Sequence, residues 1–230
     1  MPNWRLPNRP FAEHLGRVLK HFDIDCVLDV GANDGGFARF LRLEVGYRGL
    51  IISFEPVSVQ TQACLAAAAI DPLWHVYGFG LGNKNCTTEM NAMANSVFNS
   101  LLQPIDNPPR EFADMMVVDH KETIELRRLE NLLPKLKRTH QFARPYLKID
   151  TQGFDLAVIE GAGSSIDQII ALQTELLFQP IYRDMPSWSS VTDALRDRDF
   201  SVSNFFMVNA DPMLRAIELD GVFINNRHKQ

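Results

Sequence analysis

The sequence predicts an α/β domain built on a parallel sheet with helices on both faces, and three observations carry that reading. The run Cys26-Val-Leu-Asp-Val30 breaks into the glycine turn Gly31-Ala-Asn-Asp-Gly35 and re-emerges as a helical pattern at Phe37, Phe40 and Leu41. A second apolar run, Gly49-Leu-Ile-Ile-Ser-Phe54, ends on Glu55. A carboxylate placed there, after such a turn, is where sheets of this kind hold a ribose by its hydroxyls. A further run, Pro145-Tyr-Leu-Lys-Ile149, ends on Asp150 and meets another glycine turn at Gly153. The first two together point to a nucleoside-bearing ligand at the carboxyl ends of the strands.

The elements follow in order. Residues 10–22 predict a helix, with Phe11, Leu15, Val18, Leu19 and Phe22 at helical spacing. Strand 25–30, turn 31–35, helix 36–45 and strand 49–54 form the first unit. Helix 57–69, where Ala63, Ala66 and Ala67 allow close packing on the sheet, leads to a strand at about 73–79 and the turn Gly80-Leu-Gly-Asn-Lys84. This order predicts right-handed crossovers. Residues 94–112, with Asn95, Asn99, Pro104, Pro108 and Pro109, read as a long polar loop, and 94–102 within it as a lid over a bound cofactor. A short strand at 122–126 and a helix at 128–137 precede strand 145–150 and the turn Thr151-Gln-Gly153. Helix 154–161, strand 168–178 with Gln173-Thr-Glu175, and helix 188–198 come next. Strands 200–208 and 216–225 are joined at Asp211-Pro212 without a helix, which predicts an antiparallel hairpin at the sheet edge.

A chain of 230 residues suits one well-buried domain, expected over 25–230 behind a helical extension at 1–24. No apolar run approaches the roughly 18 residues of a membrane span. The first residues lack the basic-then-apolar layout of a secretory signal. Cys26, Cys64 and Cys86 make neither a disulfide framework nor a CxxC pair. A cytoplasmic protein is the expectation. The net charge of −5 and the scattered bases argue against nucleic acid as partner, and Lys135, Lys137 and Arg138 read as a solvated helix face. A homo-oligomer is left open.

Asp29, Glu55, Gly80–Gly82, Asp150 and Glu175 all fall on one rim of such a sheet. The turn Gly31–Gly35 does not match GxGxxG; Asn33 and Asp34 crowd the approach of a pyrophosphate, and Asp34 repels it. A nucleoside without phosphates and with positive charge fits better, and S-adenosylmethionine is such a ligand.

At this level of detail the chain resembles the FkbM-family methyltransferases of the S-adenosylmethionine-dependent superfamily. The matching segments are 28–37, Phe54-Glu-Pro56, Gly80-Leu-Gly-Asn83, Ser100-Leu-Leu102, 147–155 and Gln173-Thr-Glu-Leu176. Gln152 departs from the pattern, standing where relatives often carry Glu. The resemblance implies a Rossmann-like sheet of seven strands, mostly parallel with an antiparallel edge, and methyl transfer to a hydroxyl oxygen, often on a sugar. It implies that Asp29, Gly31 and Asn33 surround the methionine tail and that Glu55 takes the ribose hydroxyls. It sets Leu81 and Gly82 by the adenine, and Asp150 by the sulfonium and the acceptor.

Methyl transfer from a sulfonium is an in-line displacement, and an aliphatic hydroxyl needs its proton taken or its pKa lowered by a metal. Asp150 and Glu175 are the candidates, as base and orienting partner or as oxygen ligands of Mg2+. Glu175 reads equally well as a buried acid organising loop 178–187. Ser100, Gln152 and Tyr182 are expected at the acceptor, a carbohydrate or glycosylated metabolite. Trp188 reads as helix-face packing, and His75, His120 and His140 as weaker base candidates. One rival is a nicotinamide oxidoreductase, disfavoured because none of Tyr47, Tyr77, Tyr146 or Tyr182 has Lys four residues on. The other is a binding domain of the same fold without turnover.

Overall fold

The computed structural model describes residues 9–110 and 112–228. Helix α1 (Arg9–His21) precedes β1 (Cys26–Val30), α2 (Gly36–Phe40, continued by a π-turn at Leu41–Val45), β2 (Leu50–Phe54), α3 (Ser58–Ala68) and β3 (Trp74–Tyr77). Three strands then leave the main sheet: β4 (Gly80–Leu81), β5 (Cys86–Met93) and β6 (Val118–Arg127). Helix α4 (Leu129–His140), β7 (Pro145–Ile149), α5 (Asp155–Gly161), β8 (Ala171–Leu177), α6 (Trp188–Arg196), β9 (Phe200–Ala210) and β10 (Ala216–Asn225) complete the chain.

The main sheet has seven strands in the order β3-β2-β1-β7-β8-β10-β9. All neighbours are parallel until β10, which runs antiparallel to both β8 and β9. The predicted hairpin therefore closes the sheet, with the reversed strand tucked one place in from the edge. Strands β1, β2, β7 and β8 are buried along their whole length, which is why they read as continuous apolar runs rather than alternating ones. Alternate side chains feed opposite layers. Leu28, Ile52, Leu147 and Leu172 pack with Leu129, Leu133 and Val158 of α4 and α5. Val27, Ile51, Tyr146 and Ala171 pack on the other face with Leu15 and Leu19 of α1, Ala38 of α2 and Cys64 of α3.

The sequence reading needs three changes. The strand expected over 73–79 stops at Tyr77, and Gly80–Leu81 joins a separate three-stranded sheet ordered β4-β6-β5. Strand β5, whose outer half is polar and exposed, carries too weak an apolar pattern to predict. The segment after it is not a solvated connection. Phe98, Phe112 and Met116 form a small core with Leu177, Tyr182 and Ile217, and bridges join Asn91 to Ser100 and Pro104 to Tyr182. Among the described residues, no helix is long and apolar enough to cross a membrane.

The close approach of β1 and β7 depends on one glycine. Gly31 has φ +74°, and a Cβ there would overlap the carbonyl oxygen of Asp150. Gly31→Ala combines a left-handed backbone with that overlap and is expected to lower stability by about 3 kcal/mol or more in urea unfolding. A loss below about 1 kcal/mol would show that the two strand ends are not held this closely.

Candidate functional site

A cleft of about 2250 Å³ opens where β1, β2, β7 and β8 end, and the first half of β10 forms its far side. Its floor is a polar row laid across adjacent strands by the register. Ser53 pairs with Asp29, Asp29 with Lys148, and Lys148 with Gln173. Each of these sits one pleat beyond the apolar residues that pack on α1–α3, so the row crowns that layer of core. Trp74 Nε1 donates to Ser53 Oγ at 3.0 Å, and Ser53 Oγ donates to Asp29 Oδ2 at 3.0 Å.

Lys148 is the centre of the row. Its buried ammonium lies 3.2 Å from Asp29 Oδ1, off the axis of a hydrogen bond, and 3.3 Å from Asp150 Oδ2. It also donates to the Gly31 carbonyl at 3.1 Å. Burial alone would lower the pKa of this lysine, but Asp150 and Asp29 outweigh it and hold the group firmly protonated. Asp29 is wholly buried, so it serves as the counterion beneath the cleft rather than as a wall of it. That corrects its expected contact with a methionine tail.

Asp150, by contrast, is 42% exposed and faces the cleft. Gln152 sits beside it with φ +52°, a conformation rare for a side-chain-bearing residue. Its Nε2 donates to Glu175 Oε1 at 2.7 Å and to Asp150 Oδ1 at 3.3 Å. Two contacts fix the amide from behind: Ser100 Oγ donates to the Gln152 carbonyl at 2.7 Å, and the Tyr182 hydroxyl lies 2.9 Å from Gln152 Oε1. Ser100 and Tyr182, expected at an acceptor, are thus buried buttresses that hold Gln152 in its strained conformation. Glu175 is 6% exposed, and burial pushes its carboxyl well above the usual range, with Glu218, Asp150 and Asp155 adding like charge. Asp220, opposite Glu175 across the antiparallel pair, is raised to about 7 by burial, then by Glu218 and Asp150. Asp155, raised to about 6 by burial and Asp150, is tied to Thr174 and Thr151 below the cleft.

At the opposite end stands Glu55, buried and held by the backbone N–H groups of Asn33 at 2.8 Å and Val57 at 3.0 Å. Burial raises its carboxyl to about 7 against those two hydrogen bonds. Leu81, Ile124, Leu126 and Phe154 make an apolar wall of the same cleft. Gly82 does not line it; a Cβ there would press on Phe154, so this glycine serves packing. Asn33 bridges to the segment expected to be a lid, accepting from Ser96 Oγ at 3.1 Å through its side-chain oxygen.

A nucleoside bearing a sulfonium fits these residues: a carboxylate beside an apolar slot at one end, and acids at the other. Magnesium does not fit. The Gln152 amide protons point at both Asp150 and Glu175, the Lys148 ammonium occupies Asp150 Oδ2, and no metal-binding cluster occurs among the described residues. None of the histidines lines the cleft; His140 bonds Tyr77 and His120 pairs with Asp119 on the surface. Trp188 stacks on Phe178 at 4.7 Å, as helix packing predicts. Sequence reasoning missed Lys148, Gln173, Glu218 and Asp220. The signal for Lys148 was present, since a lone charge inside a fully apolar strand must be paired.

The model of the FkbM methyltransferase domain matches residues 29–202. No curated protein matches the chain significantly. Among solved structures, an rRNA methylase from Streptococcus thermophilus is 10% identical, with 96% of this chain and 97% of that one covered and a TM-score of 0.49. Magnesium protoporphyrin IX methyltransferase from Synechocystis PCC 6803, with bound S-adenosylmethionine, is 9% identical, with 95% and 79% covered and a TM-score of 0.47. The methyltransferase domain of a bacterial Hen1 is 10% identical, with 94% and 98% covered and a TM-score of 0.47.

Two predictions test the floor of the cleft. Lys148→Met strands Asp29 as a buried, unpaired carboxylate and is expected to cost about 3–5 kcal/mol in urea unfolding. Adding Asp29→Asn should recover most of that loss; additive losses would show that the two do not act as a pair. The second concerns pH. Glu55, Asp220 and Asp155 have folded pKa values raised above their unfolded ones, so they bind protons more readily in the folded protein. Their contribution is complete below about pH 4 and fades as pH rises through about 6 to 7. His14, His140 and His228, lowered by burial, act in the opposite sense but are largely solvent-screened. The melting temperature of the ligand-free protein should fall between pH 5 and 7.5; a rise would mean these carboxyls are not desolvated.

Proposed function

Because the chain belongs to the FkbM family of S-adenosylmethionine-dependent methyltransferases, we propose that it methylates a hydroxyl oxygen of a carbohydrate or a glycosylated metabolite. The observation that carries this reading is Asp150, a carboxylate open to the cleft and fixed through both oxygens by Lys148 and Gln152. S-adenosylmethionine, when bound, supplies a methyl group on a sulfonium, an electrophile that needs no metal. Glu55 would hold the ribose through charge-assisted hydrogen bonds, its carboxylate already aimed by two backbone donors. The wall of Leu81, Ile124, Leu126 and Phe154 would take the adenine. Gly31 and Asn33 would border the methionine tail.

Asp150 orients the acceptor hydroxyl and accepts its proton as the new C–O bond forms. Lys148 stands beside that carboxylate as its counterion, and Gln152 holds it against rotation. The Ser96–Asn33 contact gives the segment above the cleft a place to close and exclude water. The acid-lined cleft supports a neutral or cationic acceptor over a phosphate-rich one, in keeping with the net charge of −5.

Calorimetric titration with S-adenosylhomocysteine should give micromolar binding, and NAD none. Glu55→Ala is expected to weaken that binding about 100-fold, or roughly 2.7 kcal/mol. Unchanged affinity would remove the ribose from Glu55. Asp150→Asn should lower turnover by about 100-fold or more with the fold retained. Full activity in that variant would take Asp150 out of proton transfer.

A further inference from the structure

The cleft is larger than a nucleoside cofactor fills: small-molecule sites commonly enclose about 300–1,000 Å³, and this one encloses about 2250 Å³. Part of the surplus lies over α1 and α2. Phe11 on α1, Phe37 and Phe40 on α2, and Val45 in the π-turn that continues α2 all line it. Phe37 and Phe40 are three residues apart and so share one face of their helix. The Phe11 and Phe40 rings stack at 5.6 Å with 4° between their planes, and Phe37 lies 6.0 Å from Phe40. Phe11 is buried and rests on Phe206 at 5.1 Å, so the group is fixed from behind. Phe37, Phe40 and Val45 are half-buried, each packed on the core while also bordering the cleft.

This lobe adjoins the reacting end. The Lys148 ammonium lies 5.4 Å from the centre of the Phe37 ring and 3.3 Å from Asp150 Oδ2. One lysine thus separates the aromatic group from the carboxylate assigned to the acceptor hydroxyl. The four apolar side chains offer no donor or acceptor, so sugar hydroxyls buried against them would give up water without a replacement. An apolar ring gains there twice, by leaving water and by meeting ring faces and edges already in place. Arg9 at the rim is paired with Glu13, and Glu44 adds a negative charge next to Val45, which disfavours a phosphate in the lobe.

We infer that the lobe formed by Phe11, Phe37, Phe40 and Val45 binds an apolar ring carried by the acceptor, so that the substrate is a glycoside of an aromatic or alicyclic aglycone rather than a free or phosphorylated sugar. This rests on the methyl-transfer reading of the cleft and deepens it. Asp150 meets the sugar hydroxyl, and Phe37 and Phe40 hold the aglycone.

The test is calorimetry on the full chain saturated with S-adenosylhomocysteine, titrated with phenyl β-glucoside, methyl β-glucoside and glucose 6-phosphate. The phenyl glucoside is expected to bind more tightly than either of the others, by about ten-fold or more. Phe40→Ala should erase that preference while affinity for S-adenosylhomocysteine stays within about two-fold. That change also opens the stack on Phe11, so Val45→Asn provides a second check that leaves all three rings in place. It should cut the preference by about three-fold or more. Equal binding of the three sugars or a preference that survives both substitutions overturns the inference. So does no binding of any, as when a second copy or another stretch of this chain fills the lobe. Failure to bind S-adenosylhomocysteine while the phenyl-glucoside preference persists would instead strike the methyl-transfer reading and leave the apolar site standing.

Discussion

The buried ammonium of Lys148, set between Asp29 and Asp150, is the contact on which the cleft depends. Taking the Lys148 and Asp29 charges out of bulk water is costly, and an apolar pair of the same volume would be no less stable. What the charged set provides is position. Asp29 is the last residue but one of its strand, Lys148 holds the same place in the adjacent one, and Asp150 is the first residue beyond that strand. Holding all three fixes the spacing of the two strand ends at the point where the Gly31 turn passes the Asp150 carbonyl. It also points the one exposed carboxylate of the set into the cleft.

From this anchor the cleft acquires two unlike ends. Towards β2 it offers Glu55 and an apolar wall; towards β10 it offers acids held by amides. A ligand with an aromatic nucleoside at one end and a positive centre at the other is matched by that polarity. Transfer of the methyl group turns a sulfonium into an uncharged thioether, so the attraction of the acidic end is strongest before reaction and weakest after it. The same arrangement disfavours a bound magnesium ion, because Gln152 presents amide protons where a cation would need lone pairs.

Much of the fold was legible because the central strands are buried on both faces and so read as unbroken apolar runs between turns. Strand β5 was not legible, since its exposed half alternates weakly and its partners on β6, from Leu126 to Val118, lie far along the chain. The site divided along similar lines. Glu55 and Asp150 were visible because each ends an apolar run, a property local in sequence. Ser100, Tyr182 and Gly82 work behind the cleft, and only the packing reveals that. Glu218 and Asp220 were hidden because the reversed strand brings its first residues, not its last, to the rim.

A crystal structure of the complex with S-adenosylhomocysteine tests the account most directly. Both ribose hydroxyls are expected within hydrogen-bond distance of the Glu55 carboxylate, the adenine against Leu81 and Phe154, and the sulfur facing Asp150. A nucleoside bound with its ribose away from Glu55, or with its sulfur pointing out of the cleft, would contradict it.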